Sequence, residues 1–206
     1  MSIVKLNNNG VKNATAFGSI TTSGAMTFIK KLTASSSATL SFVDGTSDVV
    51  LDNTYKEYMF TFNNMHPASD AVNFVFNGSI DSGSNYNVTK TTSFFNAYHF
   101  ENDSSNALTY NASQDLAQST DFQILEDSVG NDNDQSCVGY LHLFNPSSTT
   151  FVKHFISSNH RAFSGDASSE NHVAGYFNTT SAIDAVQFKF SSGNIDAGDI
   201  CLYGIN

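Results

Sequence analysis

The chain has 206 residues, with 18 Phe, 8 Tyr, no Trp and only 2 Pro, and a formal net charge of −10. That length suits one large β-sandwich or two small domains and needs no disulfide staples. The acid excess, with Arg161 as the single arginine, argues against a nucleic-acid partner or an anionic membrane surface, both of which need a positive patch.

Phe and Tyr fit the pleated, half-buried surface of a sheet, and the abundant Ser, Thr, Asn and Gly fill turns. Strong helix formers are sparse, so the composition predicts an all-β protein without long helices. Residues 1–24 are polar, and only Ile3, Val4 and Leu6 are anchoring aliphatics. Two readings are open for them, a loose terminus or an extended arm that docks on a partner through those side chains. Met1–Leu6 is too short an apolar stretch for a secretion signal, and no run is long enough to span a bilayer, so synthesis in a cytosol without secretion is expected.

Strands are predicted from Met26 onward: Met26–Thr33, Ala38–Val43 and Val49–Leu51. Tyr58, Phe60 and Phe62 alternate with Met59, Thr61 and Asn63, and Val72, Phe74 and Phe76 repeat that period of two. The centre, 84–137, is less regular, and Ser113–Gln118 is expected to form a helical turn. Strands resume at Val138–Phe144, Thr150–Ile156, Val173–Phe177, Val186–Phe190 and Ile200–Gly204, a spacing that suits a sandwich or barrel.

Internal similarity refines this. Asp70-Ala71-Val72-Asn73-Phe74-Val75-Phe76 followed by Gly78-Ser79-Ile80-Asp81-Ser82-Gly83 recurs as Asp184-Ala185-Val186-Gln187-Phe188-Lys189-Phe190 followed by Gly193-Asn194-Ile195-Asp196-Ala197-Gly198. Upstream, Phe62-Asn63 matches Phe177-Asn178, and Thr27-Phe28-Ile29-Lys30 matches Thr150-Phe151-Val152-Lys153. The halves, 26–83 and 149–198, are too short to bury a core alone. The expected architecture is therefore a single antiparallel, jelly-roll-like sandwich over 25–206 with approximate internal duplication, Asp81 and Asp196 serving its turns. Two separate small domains are the alternative.

Chemistry-bearing motifs are few. Nucleophile-elbow, phosphate-loop and His-Glu-x-x-His patterns do not occur, and Cys137 and Cys201 make no zinc spacing. Cys201 sits in the apolar run Ile200-Cys201-Leu202-Tyr203 and is expected to be buried. His142 and His154 lie on adjacent predicted strands and would face each other across a hairpin, as ordinary strand residues or as a metal pair short of a third ligand. Among Glu57, Glu101, Glu126 and Glu170, none is framed by apolar strand residues that would raise its pKa, so no enzyme is expected. Asp132-Asn133-Asp134 begins like a calcium loop but lacks the Gly and distant Glu that complete one, so no cofactor is expected, and calcium at Asp132 and Asp134 is the exception to test. Tyr86, Tyr98, His99, Phe100 and Tyr110 cluster in the irregular centre. Of these, Tyr86, Tyr98, His99 and Tyr110 are candidates for stacking on sugar rings, the alternative being that they fill the sandwich ends.

Several stretches carry a resemblance: Met1-Ser2-Ile3-Val4-Lys5-Leu6-Asn7-Asn8, Phe28 to Ser37, Tyr55-Lys56-Glu57-Tyr58 with His66-Pro67, Gly139 to Pro146, and Gly193 to Gly198. Through them the chain resembles uncharacterised virion proteins of marine tailed phages, notably those infecting cyanobacteria. The resemblance implies a β-sandwich on the virion surface, as a capsid decoration or knob or as a tail-fibre-associated piece, contacting other virion proteins. It carries no catalytic residues. A homo-oligomer, for instance a trimer, follows from the usual symmetry of such appendages. A receptor-binding module for a host glycan is the competing expectation.

Overall fold

The structure, a computed structural model, describes residues 25–163 and 165–206. The proposed arm and its anchors Ile3, Val4 and Leu6 lie outside the described residues. Among the described residues every regular element is a β-strand, joined in one 12-stranded antiparallel sheet. In chain order these are β1 (Met26–Thr33), β2 (Leu40–Val43), β3 (Glu57–Pro67), β4 (Val72–Ser79), β5 (Lys90–Phe100) and β6 (Asn106–Tyr110). There follow β7 (Gln123–Val129), β8 (Cys137–Phe144), β9 (Lys153–Phe163), β10 (Ala167–Phe177), β11 (Ala185–Phe190) and β12 (Ile195–Ile205).

The long run of the sheet is β1-β12-β3-β8-β9-β10-β5-β6, and the short run is β7-β4-β11-β2. A bridge between Val129 and Phe163 joins them, so the sheet curls until it is nearly closed into a barrel-like shape. Alternation places Tyr58, Phe60 and Phe62 of β3 inside, against Phe42, Phe74 and Phe188 of the short run. Phe188 is the hub. Its ring lies 5.2 Å from Phe60 and from Phe62, and it also meets Phe42, Phe74 and Phe76. Phe76 continues the contact to Phe155 and Phe177. The many phenylalanines thus tie one wall to the other, edge to face in most pairs, which is the favoured geometry for aromatic rings.

The centre departs from expectation. It holds β5, β6 and β7, and Ser113–Gln118 forms turns, not a helix. The Asn111 side chain accepts from Ser113, and Leu116 N–H donates to Thr92 Oγ1, so local side-chain bonds replace a helical ladder. Val49 and Leu51, expected as a strand, are buried in a loop.

The two similar segments also sit differently. β4 and β11 pair with each other, Ala185 opposite Ser79 and Phe190 opposite Phe74. Asp81 lies in a turn, accepting from Ser79 and Asn85, and these hydrogen bonds, those from Asn85 foremost, hold its carboxyl below the usual range. Asp196 instead lies within β12, 3.6 Å from the His66 ring. Asp184, from the second segment, accepts the Ser82 N–H of the first segment's turn.

Lys90 and Lys153 both flank Phe177, as its partners on β5 and β9, and both are fully buried. Lys153 donates to the carbonyls of Phe151 and Thr179, and Lys90 donates to that of Asp121 at 2.5 Å. Burial lowers Lys90 from 10.5 to about 7.

Phe188→Ala removes the hub and is expected to cost about 3–5 kcal/mol in urea unfolding, whereas Phe28→Ala on the exposed face is expected to cost within about 0.5 kcal/mol. Between about 7 and 10.5 the folded state holds fewer protons at Lys90 than the unfolded chain, so this residue makes stability rise with pH there. The stability difference between the native chain and Lys90→Met is therefore expected to shift in favour of the native chain from pH 7 to pH 9. Its slope should stay below about 1.4 kcal/mol per pH unit; a constant difference would mean that the ammonium is not desolvated.

Candidate functional site

Two features outside the phenylalanine core set this sheet apart, one on each face of the long run. The first is its outer face. Cross-strand register brings Tyr110, Phe95 and His172 into one row over β6, β5 and β10. Tyr140 and Ile156 lie further across, on β8 and β9, and Phe28 and Tyr203 near the β1 edge. Leu108 is 75 % exposed, Phe28 57 % and Ile156 52 %. Apart from His66, the histidines share this face: His99, His142, His154, His160 and His172. Phe95 stacks on His172 at 4.9 Å, and the Glu57 carboxylate bonds the His142 ring. His142 sits opposite Ile156, and His154 is two residues further along β9 beside Tyr176. The two histidines share the face as expected, but different neighbours engage them. A broad apolar area with few free charges is the composition of a contact surface.

The second feature lies on the inner face of β9, β10 and β5. Inward residues of β9 are Ser157, Asn159 and Arg161, and those of β10 include Ser169 and Asn171, all of them buried. β7 completes the cluster through a bulge. Its register against β4 shifts near Phe74, so that Leu125 and Glu126 are both buried in succession. Arg161 Nη1 donates to Asp127 Oδ1 at 2.5 Å and forms an ion pair with Glu126 Oε1 at 3.1 Å. Asn171 Nδ2 donates to Glu126 at 2.6 Å and to Asp127 at 3.0 Å, and Asn159 donates to the Leu125 carbonyl. Gly139 makes this possible. A Cβ there would stand 2.3 Å from Asn159 Oδ1, and its φ of +154° is one that other residues avoid.

Glu126 overturns one expectation. Strand residues do frame it, it is fully buried, and burial pushes its carboxyl well above the usual range against the pull of Arg161. The same burial raises the Cys137 thiol; Cys201 is buried as expected.

The four aromatic candidates do not converge. Tyr98 points to the inner face, where with Asn96, Phe100, Arg161, Phe163, Ala167 and Ser169 it lines a cavity of about 230 Å³. His99 alternates to the outer face and meets Asp103 at 3.0 Å. Tyr110 is also on the outer face, its hydroxyl bonded to Asp115, a bond that raises its pKa. Tyr86 lies in the turn region, its hydroxyl close to Gly83. Asp132 accepts from the His66 ring through its backbone carbonyl at 3.2 Å, and Asp134 lines a separate shallow hollow with His66. Among the described residues no group of three His, Cys, Asp or Glu side chains converges as a metal would require. Sequence reasoning missed the cluster because its members lie on three separate strands. The one available signal was Arg161, the sole arginine.

Arg161→Ala strands two carboxylates beneath the sheet and is expected to cost about 3–5 kcal/mol, because an unpaired buried charge is worse than none. Glu126→Gln keeps the shape and suits a position that favours the neutral acid, so it should stay within about 1 kcal/mol of the native chain by chemical unfolding at pH 7. A loss at Glu126→Gln as large as at Arg161→Ala would show that Glu126 is ionised. Comparison with known proteins finds no matching family model, no curated relative and no solved structure.

Proposed function

We propose that this protein is a non-enzymatic structural component of a phage virion exterior, a capsid decoration or a tail-fibre-associated piece, built as a jelly-roll-like sandwich. The outer face of the long run is the surface that meets neighbouring virion subunits, copies of this chain among them. The observation that carries the reading is the set of exposed apolar side chains Leu108, Phe95, Tyr140 and Ile156 on one face of a chain of net charge −10. Elsewhere the acid excess keeps such a particle component dispersed, while on this face the carboxylates Glu57 and Glu170 lie against the His142 and His172 rings. The mutual pairing of β4 and β11, which have similar sequences, is in keeping with duplication of one unit.

A second reading, a module that binds a host surface glycan, is favoured by the inward position of Tyr98 beside a cavity. Of the aromatic candidates it retains Tyr98 and leaves Tyr86, His99 and Tyr110 as framework or contact residues.

Immunogold labelling of purified particles, with antibody to residues 26–206, is expected to place gold on the exterior. Ile156→Glu with Leu108→Glu is expected to lower incorporation several-fold while leaving the thermal midpoint within about 2 °C. Particles that stay bare under an antibody that recognises the free protein would refute the virion assignment. Unchanged incorporation of the double variant would refute the outer face as the contact surface.

A further inference from the structure

The cavity has an ordered construction. Three cross-strand rows run over β9, β10 and β5: Phe163, Ala167 and Phe100 nearest the strand ends, then Arg161, Ser169 and Tyr98, then Asn159, Asn171 and Asn96. In the first two rows the middle strand contributes only Ala167 and Ser169, while both neighbours contribute large side chains. Small residues between two bulky walls make a trough, and its lining changes from aromatic at the open end to polar at depth.

The polar end is incompletely satisfied. Among the described residues, Ser169 Oγ and Arg161 Nε have no hydrogen-bond partner, nor do Glu126 Oε2, Asn159 Oδ1 and Asn171 Oδ1 in the adjoining cluster. Ser169 is 3 % exposed and Arg161 5 %. A buried polar atom left without a partner costs about 1–3 kcal/mol, so five in one cluster are not a neutral packing choice. They include donors and acceptors together, and a ligand hydroxyl, which both donates and accepts, matches such a set.

Charge narrows the class. Arg161 already faces Asp127 and Glu126 in close ion pairs, so its positive charge is answered within the cluster. Size narrows it further: 230 Å³ is below the range of drug-sized pockets, which begins near about 300 Å³. Flat aromatic walls suit a ring with an apolar face.

The geometry points to a binding site for one neutral pyranose ring, seated in the trough of β9, β10 and β5. Its apolar face lies on Tyr98 and Phe100, and its hydroxyls engage Ser169 and Arg161 Nε. Tyr98 and Phe100 are half-buried at the rim, and they must turn outward for the hydroxyls to reach Ser169 Oγ and Arg161 Nε. Arg161 acts here as a donor through Nε while its Nη1 stays with the two carboxylates. This deepens the glycan reading given above and rests on it only for the biological source of the sugar.

The test is ligand-observed NMR on the full chain with glucose, galactose, mannose and N-acetylglucosamine, with sialic acid as the anionic comparison. Saturable binding of at least one neutral sugar is expected, with a Kd of about 1 mM, as suits a single small ring. Tyr98→Ala is expected to weaken it at least tenfold and Ala167→Leu to abolish it by filling the trough. Tyr110→Ala on the opposite face is expected to leave it unchanged. Thermal unfolding of each variant confirms that it is folded, and Tyr98→Ala, at a half-buried rim, serves where Ala167→Leu does not fold. The proposal is overturned by no saturable binding of any neutral sugar to about 100 mM, by binding that Tyr98→Ala leaves intact, or by preference for sialic acid. Particle labelling is independent of this site, so bare particles with intact sugar binding would remove the virion reading alone.

Discussion

The contact of Phe188 with the rings of β3 and β4 is what makes two walls out of one sheet. A sheet curls only if one face gains more from burial than the strain of bending costs, and here the inner face is lined with phenylalanine over most of its length. Because these rings interlock, β11 cannot slip by one residue along β4. A slip would turn Phe188 outward and leave polar Gln187 or Lys189 among the rings. The register of the short run, and through it the depth of the whole interior, follows from this one cluster.

Where the aromatic core ends, toward the far ends of β9, β10 and β5, the interior changes character. Apolar burial gives way to an arginine, two carboxylates and two amides held in mutual hydrogen bonds. Such an arrangement contributes little net stability compared with apolar side chains of the same volume, since each charge must be stripped of water. The opposite, outer face of the same strands carries the apolar residues that a purely structural sheet would bury. Ile156 is exposed while Asn159 is buried on the same strand.

That inversion also marks what was legible in the sequence. β3, β4 and β11 could be read because their inward positions are apolar and most outward ones polar, and β1 and β8 from their apolar runs, although these leave Phe28 and Tyr140 exposed. The second half of β9 and the first half of β10 could not, since Ser157, Asn159, Arg161, Ser169 and Asn171 are inward, and a hydrophobic period of two gives no trace of them. β7 was hidden by its bulge, which buries Leu125 and Glu126 in succession. Tyr98 could be picked out as an aromatic in a polar stretch, but its partners come from strands that only the fold brings alongside. Asp81 and Asp196 share a sequence motif yet lie in a turn and in a strand, because a short motif fixes local hydrogen bonding and not its place in the sheet.

The position of β12 has a consequence for how the molecule is made. Met26 at the start of β1 pairs with Ile205 at the end of β12, and β12 also pairs with β3, so the long run has a gap until its last strand arrives. During synthesis β1 and β3 leave the ribosome without the neighbour that separates them, and each has an open edge in the meantime. Closure of the long run therefore has to wait for β12, with the slowness that distant pairings impose. A ribosome that stops before Ile195 would release a chain whose first strand has no place to go.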